Sequence, residues 1–306
     1  MIKLVNNTDV LIIGAGPAGI TAAIYALRAG CKVIVCEKGI YGGQTSIIET
    51  IENYPGFKSI SGFEFANTLH EQASDLGAEF VYGEVTAVDL KDDSKKVTID
   101  NKNEILAKAI IVANGLKRRI LGCEGENEFA GKGVSYCATC DGAFFKSKNV
   151  VVVGGGNTAL EDALYLSNIC SNVTLIVRKD HFRAEKILAD MVAKKNNIEV
   201  MFNSNIKKIC GTKSVESVEI ITGGNTSLKN VDGVFIAIGY NPDNKIFDGT
   251  LKTDELGYFV ADETCKTNVK GVYVAGDCRT KSLRQIATAV ADGAVSGNSA
   301  AMFAKQ

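Results

Sequence analysis

Two stretches of the chain carry the same succession of apolar, small and polar positions. Residues 10–39 read VLIIGAGPAGITAAIYALRAGCKVIVCEKG, and residues 150–179 read VVVVGGGNTALEDALYLSNICSNVTLIVRK; they align without a gap at an offset of 140. Each opens on an unbroken apolar run, turns at a glycine cluster, continues through an Ala/Leu-rich segment of helical period and closes on a second apolar run. That order predicts strand, turn, helix and strand. Runs apolar at every position, rather than alternating, belong to parallel strands covered on both faces.

The other patterned segments are shorter. An amphipathic stretch over Phe63–Leu76 predicts a helix, and the runs Phe80–Leu90 and Lys96–Ile99 read as strands. Ala109–Val112 predicts a buried strand that ends in a turn at Gly115. Beyond the second repeat come Ile198–Phe202, Val218–Ile221 and Val234–Gly239, then Tyr240-Asn241-Pro242 with the composition of a linker. A last strand over Gly271–Asp277 and a helix from about Arg284 have no counterpart after the first repeat. They are expected to return and complete the first domain. The predicted fold is α/β, with two Rossmann-like three-layer dinucleotide-binding domains, the second inserted into the first. Residues 1–116 and 243–306 make one domain, and residues 117–242 the other.

Composition narrows the function. Of the 306 residues 46% are hydrophobic, enough for two cores, and the formal net charge is −1, so neither nucleic acid nor an anionic membrane attracts the chain. The N-terminus has no secretory signal pattern, and no apolar run reaches the roughly 18 residues of a membrane span. Nine scattered cysteines do not form a secreted disulfide framework, which points to a reducing cytoplasm. Cys31, Cys36 and Cys170 lie in predicted core elements and read as small buried hydrophobes. The triplet Lys117-Arg118-Arg119 reads as solvated surface.

The glycine turns carry the first candidate chemistry. Gly14, Gly16 and Gly19 follow a strand and open a helix, where small residues let the backbone approach a pyrophosphate and helix-terminal N–H groups face it. Glu37 ends the second strand, placed to accept hydrogen bonds from ribose hydroxyls. That carboxylate suits FAD or NAD and repels a 2′-phosphate. In the second repeat Gly154, Gly156 and Ala159 hold the same positions, but Val177 replaces the acid and Arg178, Lys179 and Arg183 follow. Cations there pair with a 2′-phosphate, which favours NADPH over NADH. Glu161 and Asp162 read as solvated or capping groups on the second helix.

Cys137-Ala138-Thr139-Cys140 supplies the second chemistry. Cysteines at this spacing can close a small ring and exchange electrons as a dithiol. Zinc needs further ligands, yet no second C-x-x-C exists and His occurs only at positions 70 and 181. Redox chemistry therefore outranks zinc and incidental reduced thiols. Asp141, adjacent to the pair, is the candidate acid–base group; its alternative is to cap the turn Gly142–Phe145.

With these pieces assembled, nearly the whole chain resembles the low-molecular-weight, bacterial-type thioredoxin reductases. The resemblance rests on GAGPAG with Glu37, Gly42-Gly43-Gln44, Glu52-Asn53-Tyr54-Pro55-Gly56, CATCDG at 137–142, GGGNTA at 154–159, Gly276-Asp277 and Arg284-Gln285-Ile286. It implies FAD in the first domain, with Gly43, Gln44 and Asn53 lining the flavin and Asp277, Arg284, Gln285 and Ile286 closing over it. It implies NADPH in the second, at a turn that includes Asn157 and Thr158. It also implies that Cys140 lies next to the flavin, that Cys137 attacks the disulfide of thioredoxin or a thioredoxin-like protein, and that Asp141 handles the proton. A homodimer is implied too, as are domains that rotate about hinges near Asn114–Lys117 and Tyr240–Asn241. Two departures stand out. The family's strand edge commonly reads His-Arg-Arg where this chain has Val177-Arg178-Lys179, which leaves NADH or ferredoxin as alternative electron donors. Asn114 stands in place of a threonine, with little effect expected.

Overall fold

The computed structural model describes residues 5–48, 50–91 and 94–306; the side chains of Val5, Asn6 and Cys140 lie outside the described residues. The chain forms two units, one from the residues up to Lys117 together with Asn241–Gln306, the other from Arg118–Tyr240.

The first unit begins with β1 (Val5–Ile13), α1 (Pro17–Arg28) and β2 (Val33–Glu37). Pro17 stands at the start of α1, where its missing N–H is no loss. Then come α2 (Gly62–Asp75), β3 (Glu79–Tyr82), β4 (Val85–Asp89), β5 (Lys95–Ile99) and β6 (Asn103–Val112). The strand order is β3-β2-β1-β6-β5-β4. The run Phe80–Leu90 is therefore not one strand. It breaks at Gly83 (φ 157°), where a Cβ would lie 2.5 Å from Ile99 Cγ2, and its halves occupy opposite edges of the sheet. Gly83-Glu84 marks the break in the sequence, but strand-like residues on both sides let the two halves read as one run.

The second unit follows. The short strand β7 (Lys117–Arg118) leads into β8 (Val134–Ser135) and the single turn α3 (Ala138–Asp141). Next come β9 (Asn149–Val153), α4 (Asn157–Ser167), β10 (Asn172–Ile176), α5 (Lys186–Ala193) and β11 (Ile198–Met201). An antiparallel sheet of β12 (Ser204–Gly211), β13 (Val215–Thr222) and β14 (Asn225–Asn230) precedes β15 (Gly233–Ile236). The central sheet is parallel in the order β11-β10-β9-β15-β8. The helix α5 and the strands β12 and β14 were not foreseen. Their charged and polar residues interrupt the apolar pattern because much of their surface meets solvent.

The chain returns through β16 (Tyr240–Asn241), which pairs with β7, so the two crossing segments form a small sheet of their own. The closing elements are β17 (Val272–Val274) and α6 (Ile286–Ala304). β17 pairs in parallel with Ile110–Val112 of β6. α6 lies on α1 through small residues: a Cβ on Gly293 would stand 2.3 Å from the Ala18 carbonyl oxygen, and one on Gly297 2.4 Å from that of Ala22. That close approach sets the start of α6 beside the first glycine turn. Among the described residues no helix is long and apolar enough to cross a membrane.

Candidate active site

The two glycine turns use one backbone device. Gly14 N–H donates to the Cys36 carbonyl at 2.8 Å, and Gly154 N–H to the Ile176 carbonyl at 3.0 Å, in each case bonding the turn to the end of the neighbouring strand. A Cβ on Gly14 would stand 2.3 Å from the Ala113 carbonyl oxygen, and one on Gly154 2.3 Å from that of Ala237. Both turns are thus pressed between two strands, with room for glycine alone. Gly19 is needed for a second contact, since its Cβ would fall 1.9 Å from the Gly14 carbonyl oxygen; in the second turn Ala159 fits.

At the first turn Glu37 is held by backbone. Its Oε2 accepts from Ala15 N–H and its Oε1 from Gly39 N–H, both at 2.8 Å. Each oxygen keeps a lone pair for a ribose hydroxyl. Around this turn gather residues that lie far apart in sequence. Gln44 Nε2 donates to the Leu116 carbonyl at 2.7 Å, and Asn53 Nδ2 donates to Gln285 Oε1 at 3.1 Å. Gln285 caps α6 in a reciprocal pair with Thr288, and Ile286 packs on the small core of Ile51, Ile60 and Phe65. Arg284 stacks 4.0 Å from the centre of the Tyr258 ring and donates Nε to the Asp277 carbonyl at 3.2 Å. Asp277 Oδ1 is buried without a partner, and burial pushes that carboxyl up while Lys281 and Arg284 draw it down. An orphaned buried acceptor among these residues, beside a glycine turn and an oriented Glu37, fits a hydroxyl-rich dinucleotide such as FAD.

Three residues that sequence reasoning passed over support Asp277 from behind. Arg279, 2% exposed, bonds both oxygens of Asp292, with Nε to Oδ2 at 2.9 Å and Nη2 to Oδ1 at 2.7 Å. Lys281 Nζ reaches the same Oδ2 at 2.7 Å, and Gly276 N–H donates to it at 2.9 Å. Burial pushes the Asp292 carboxyl up, but the hydrogen bonds from Arg279 and Lys281 outweigh it and hold it below the usual carboxylate range. One signal was legible: a lone acid in the small-residue helix sequence ATAVADGAVSG.

Asn114 does more than a threonine would. Its Nδ2 donates to the Asp243 carbonyl and to Asn244 Oδ1, both at 3.0 Å, leaving its Oδ1 buried and unpartnered. A hydroxyl with one proton could not donate both bonds.

In the second unit Val177 is buried, its Cγ1 2.8 Å from where a Cβ on Gly155 would lie. Arg178, Lys179 and Arg183 are exposed on the loop that folds back over the turn, where Arg183 N–H donates to the Gly155 carbonyl at 2.7 Å. Asn157 and Glu185 pair reciprocally at 3.0 and 2.8 Å, tying that loop to the start of α4. Thr158 lies in the first turn of α4. Asp162 is not the solvated group expected: burial, reinforced by the neighbouring Glu161, raises its carboxyl to about 7. Arg118 likewise leaves the solvent, stacking 4.5 Å from the Tyr136 ring centre.

The cysteine motif begins at Cys137, just before α3, and continues into it. Cys137 is disulfide-bonded, whereas Cys31, Cys36, Cys123, Cys170, Cys210, Cys265 and Cys278 are free. The side chain of Cys140 lies outside the described residues. Asp141 does not cap the turn Gly142–Phe145; its Oδ2 instead accepts from Ser135 Oγ at 2.6 Å. Cys137 N–H donates to the same Oγ at 3.1 Å, and Cys137 Sγ lies 3.4 Å from Thr139 Oγ1. Tyr136 donates to the buried Glu126 at 2.9 Å, and burial together with that bond pushes the phenol up to about 12.

Comparison with known proteins finds relatives over nearly the whole chain. The family described as pyridine nucleotide-disulphide oxidoreductase matches residues 8–293. A thioredoxin reductase of Listeria innocua is 44% identical over 301 residues, covering 97% of this chain and 94% of that protein. One from Bacillus subtilis is 42% identical over 302 residues, covering 97% and 95%. Among solved structures, thioredoxin reductase from Lactococcus lactis in its FR conformation superposes with a TM-score of 0.86 at 39% identity, covering 97% of this chain and 99% of that one.

Proposed function

Because this chain belongs to the pyridine nucleotide-disulphide oxidoreductase family, in company with the bacterial thioredoxin reductases, we propose that it is a thioredoxin-disulfide reductase. It takes electrons from NADPH and passes them through FAD and the Cys137–Cys140 pair to the disulfide of thioredoxin or a thioredoxin-like protein. It works as a homodimer in the cytoplasm, where nine cysteines in one chain suit a reducing medium.

One observation carries the reading. Cys137 is disulfide-bonded whereas seven other cysteines of the chain are free, which supports reading the C-x-x-C as the redox pair. What FAD supplies when bound is two-electron transfer from a nicotinamide to a disulfide. The chain's own residues do the rest. Glu37 accepts from the ribose, Asp277 Oδ1 accepts from a cofactor hydroxyl, and Gly14, Gly16 and Gly19 admit the pyrophosphate. In the second unit Gly154, Gly156, Asn157 and Thr158 receive the nicotinamide nucleotide, with Arg178, Lys179 and Arg183 around its 2′-phosphate. Opening the disulfide takes two electrons and one proton and leaves one thiolate and one thiol. Asp141 gives that proton to a sulfur and recovers it when the disulfide re-forms. Between those events the Cys137 thiolate attacks the partner's disulfide, forming a mixed disulfide and releasing a partner thiolate; the second thiol, as Asp141 takes its proton, then attacks Cys137 Sγ, expels the partner's remaining sulfur as a thiolate and restores the pair.

The test is a coupled disulfide-reduction assay with cognate thioredoxin, comparing NADPH, NADH and reduced ferredoxin. Activity with NADPH and its near-complete loss in Cys140→Ser are expected. Full activity in that variant would remove the dithiol from the mechanism, and turnover supported by ferredoxin alone would reassign the donor.

A further inference from the structure

Ser135 is the residue that holds Asp141 in both of its protonation states, and we propose it as a positioning residue for proton transfer to the dithiol. The inference rests on Asp141 being the acid–base group. Ser135 closes β8, which is fixed on β15 by the pairing of Phe235 with Ser135, and its side chain is buried at 4% exposure. Its Oγ has three neighbours: Asp141 Oδ2 at 2.6 Å, the Cys137 carbonyl at 3.2 Å and Cys137 N–H at 3.1 Å.

A hydroxyl has one proton to donate and two lone pairs with which to accept. Cys137 N–H always finds an acceptor in it. The single proton has two candidate acceptors, and the shorter contact gives it to Asp141, within the range of a charge-assisted bond to an ionised carboxylate. Once Asp141 takes up a proton it becomes a donor itself. The Ser135 hydroxyl then turns its proton to the Cys137 carbonyl and accepts from Asp141. Asp141 thus keeps a partner, and one location, whether it is about to give a proton or to receive one. The same oxygen fixes the backbone of Cys137, so the carboxyl and the redox motif share one anchor. Asp141 N–H bonded to the Cys137 carbonyl at 3.2 Å completes the ring.

The experiment uses the flavin-loaded full chain with cognate thioredoxin. In Ser135→Ala, flavin bleaching by NADPH keeps its wild-type rate, since no step before the disulfide involves Asp141. Turnover falls about tenfold while KM for thioredoxin is unchanged, as expected for a misplaced proton donor rather than a lost docking contact. Ser135→Thr, which retains the hydroxyl, restores turnover. Adding Ser135→Ala to Asp141→Asn costs nothing further, because both act on one proton. Wild-type turnover in Ser135→Ala beside an impaired Asp141→Asn overturns the proposal, as do additive losses in the double variant. Wild-type turnover in Asp141→Asn removes the acid–base reading of Asp141 itself, and the proposal with it. Should the alanine chain not fold, Ser135→Thr decides: impaired turnover with normal flavin bleaching rejects the role.

Discussion

Arg279 and Asp292 form a buried two-point ion pair, with both carboxylate oxygens bonded by one guanidinium at 2.9 and 2.7 Å. The pair links the segment after Gly276 to the second turn of α6. Replacing Asp292 by Asn takes the buried carboxylate from Lys281 and leaves Arg279 with the exposed Glu263 at 3.6 Å, and removing one partner of such a buried pair costs about 3–5 kcal/mol. Asp292→Asn is expected to lower the unfolding midpoint by several degrees or more and to weaken flavin retention, read by thermal denaturation and by release of flavin fluorescence. Because the Asp292 carboxyl is held below its ordinary range, its stabilising contribution is full above the unfolded-state value of 3.8 and is lost as pH falls through the lower folded one. The variant and the native chain therefore differ at pH 7 and converge in strong acid. A difference independent of pH would contradict the ionic role.

Asp277 presents an unpartnered buried oxygen, and a ligand hydroxyl that completes it recovers the cost of its desolvation. Asp277→Ala is expected to weaken FAD binding by about 1–3 kcal/mol, roughly 5- to 150-fold, measured by fluorescence titration of the flavin-free chain. Unchanged affinity would detach Asp277 from the cofactor.

Asp162 behaves in the opposite sense to Asp292. Its carboxyl rises from 3.8 to about 7, so the folded chain holds a proton there that the unfolded chain releases. Between those values folding takes up a proton, and this group's contribution to stability falls as pH rises. Asp162→Asn is expected to stabilise the protein at pH 8 by an amount on the order of 2 kcal/mol, and to change nothing at pH 4. Equal stabilisation at both pH values would refute the titration.

Lys179 carries charge at the second strand's end without the planar fork of an arginine. Lys179→Arg is expected to lower KM for NADPH about threefold and to leave NADH untouched, because only the 2′-phosphate offers a bidentate acceptor. Parallel shifts for both nucleotides would place Lys179 elsewhere on the ligand.

How much of this was legible in the chain differs from element to element. The duplicated strand–turn–helix–strand units were legible because buried parallel strands leave continuous apolar runs, and the turns because only glycine fits against Ala113 and Ala237. The split at Gly83 and the sheet of β12–β14 were hidden, since half-exposed strands share their alternation with ordinary polar loops. In the site, Glu37 and the cysteine motif announced themselves by position, and Asp277 came only with the family resemblance. Ser135, Arg279 and Asp292 did not, because their importance lies in partners 6 to 13 residues away that become neighbours only on folding. Asp162 misled for a related reason: a charged residue on a helix is ordinarily solvated, and only packing shows which side of α4 it faces.

The matching contacts of Gly14 with Ala113 and Gly154 with Ala237 give the two glycine turns the same seat between strands. What tells one nucleotide from the other is written outside the cradle, in the few side chains that terminate the following strand. On the proposed reading, donor preference is open to change by substitutions at residues 177–183, while any change to Gly14 or Gly154 endangers the strand each is wedged against.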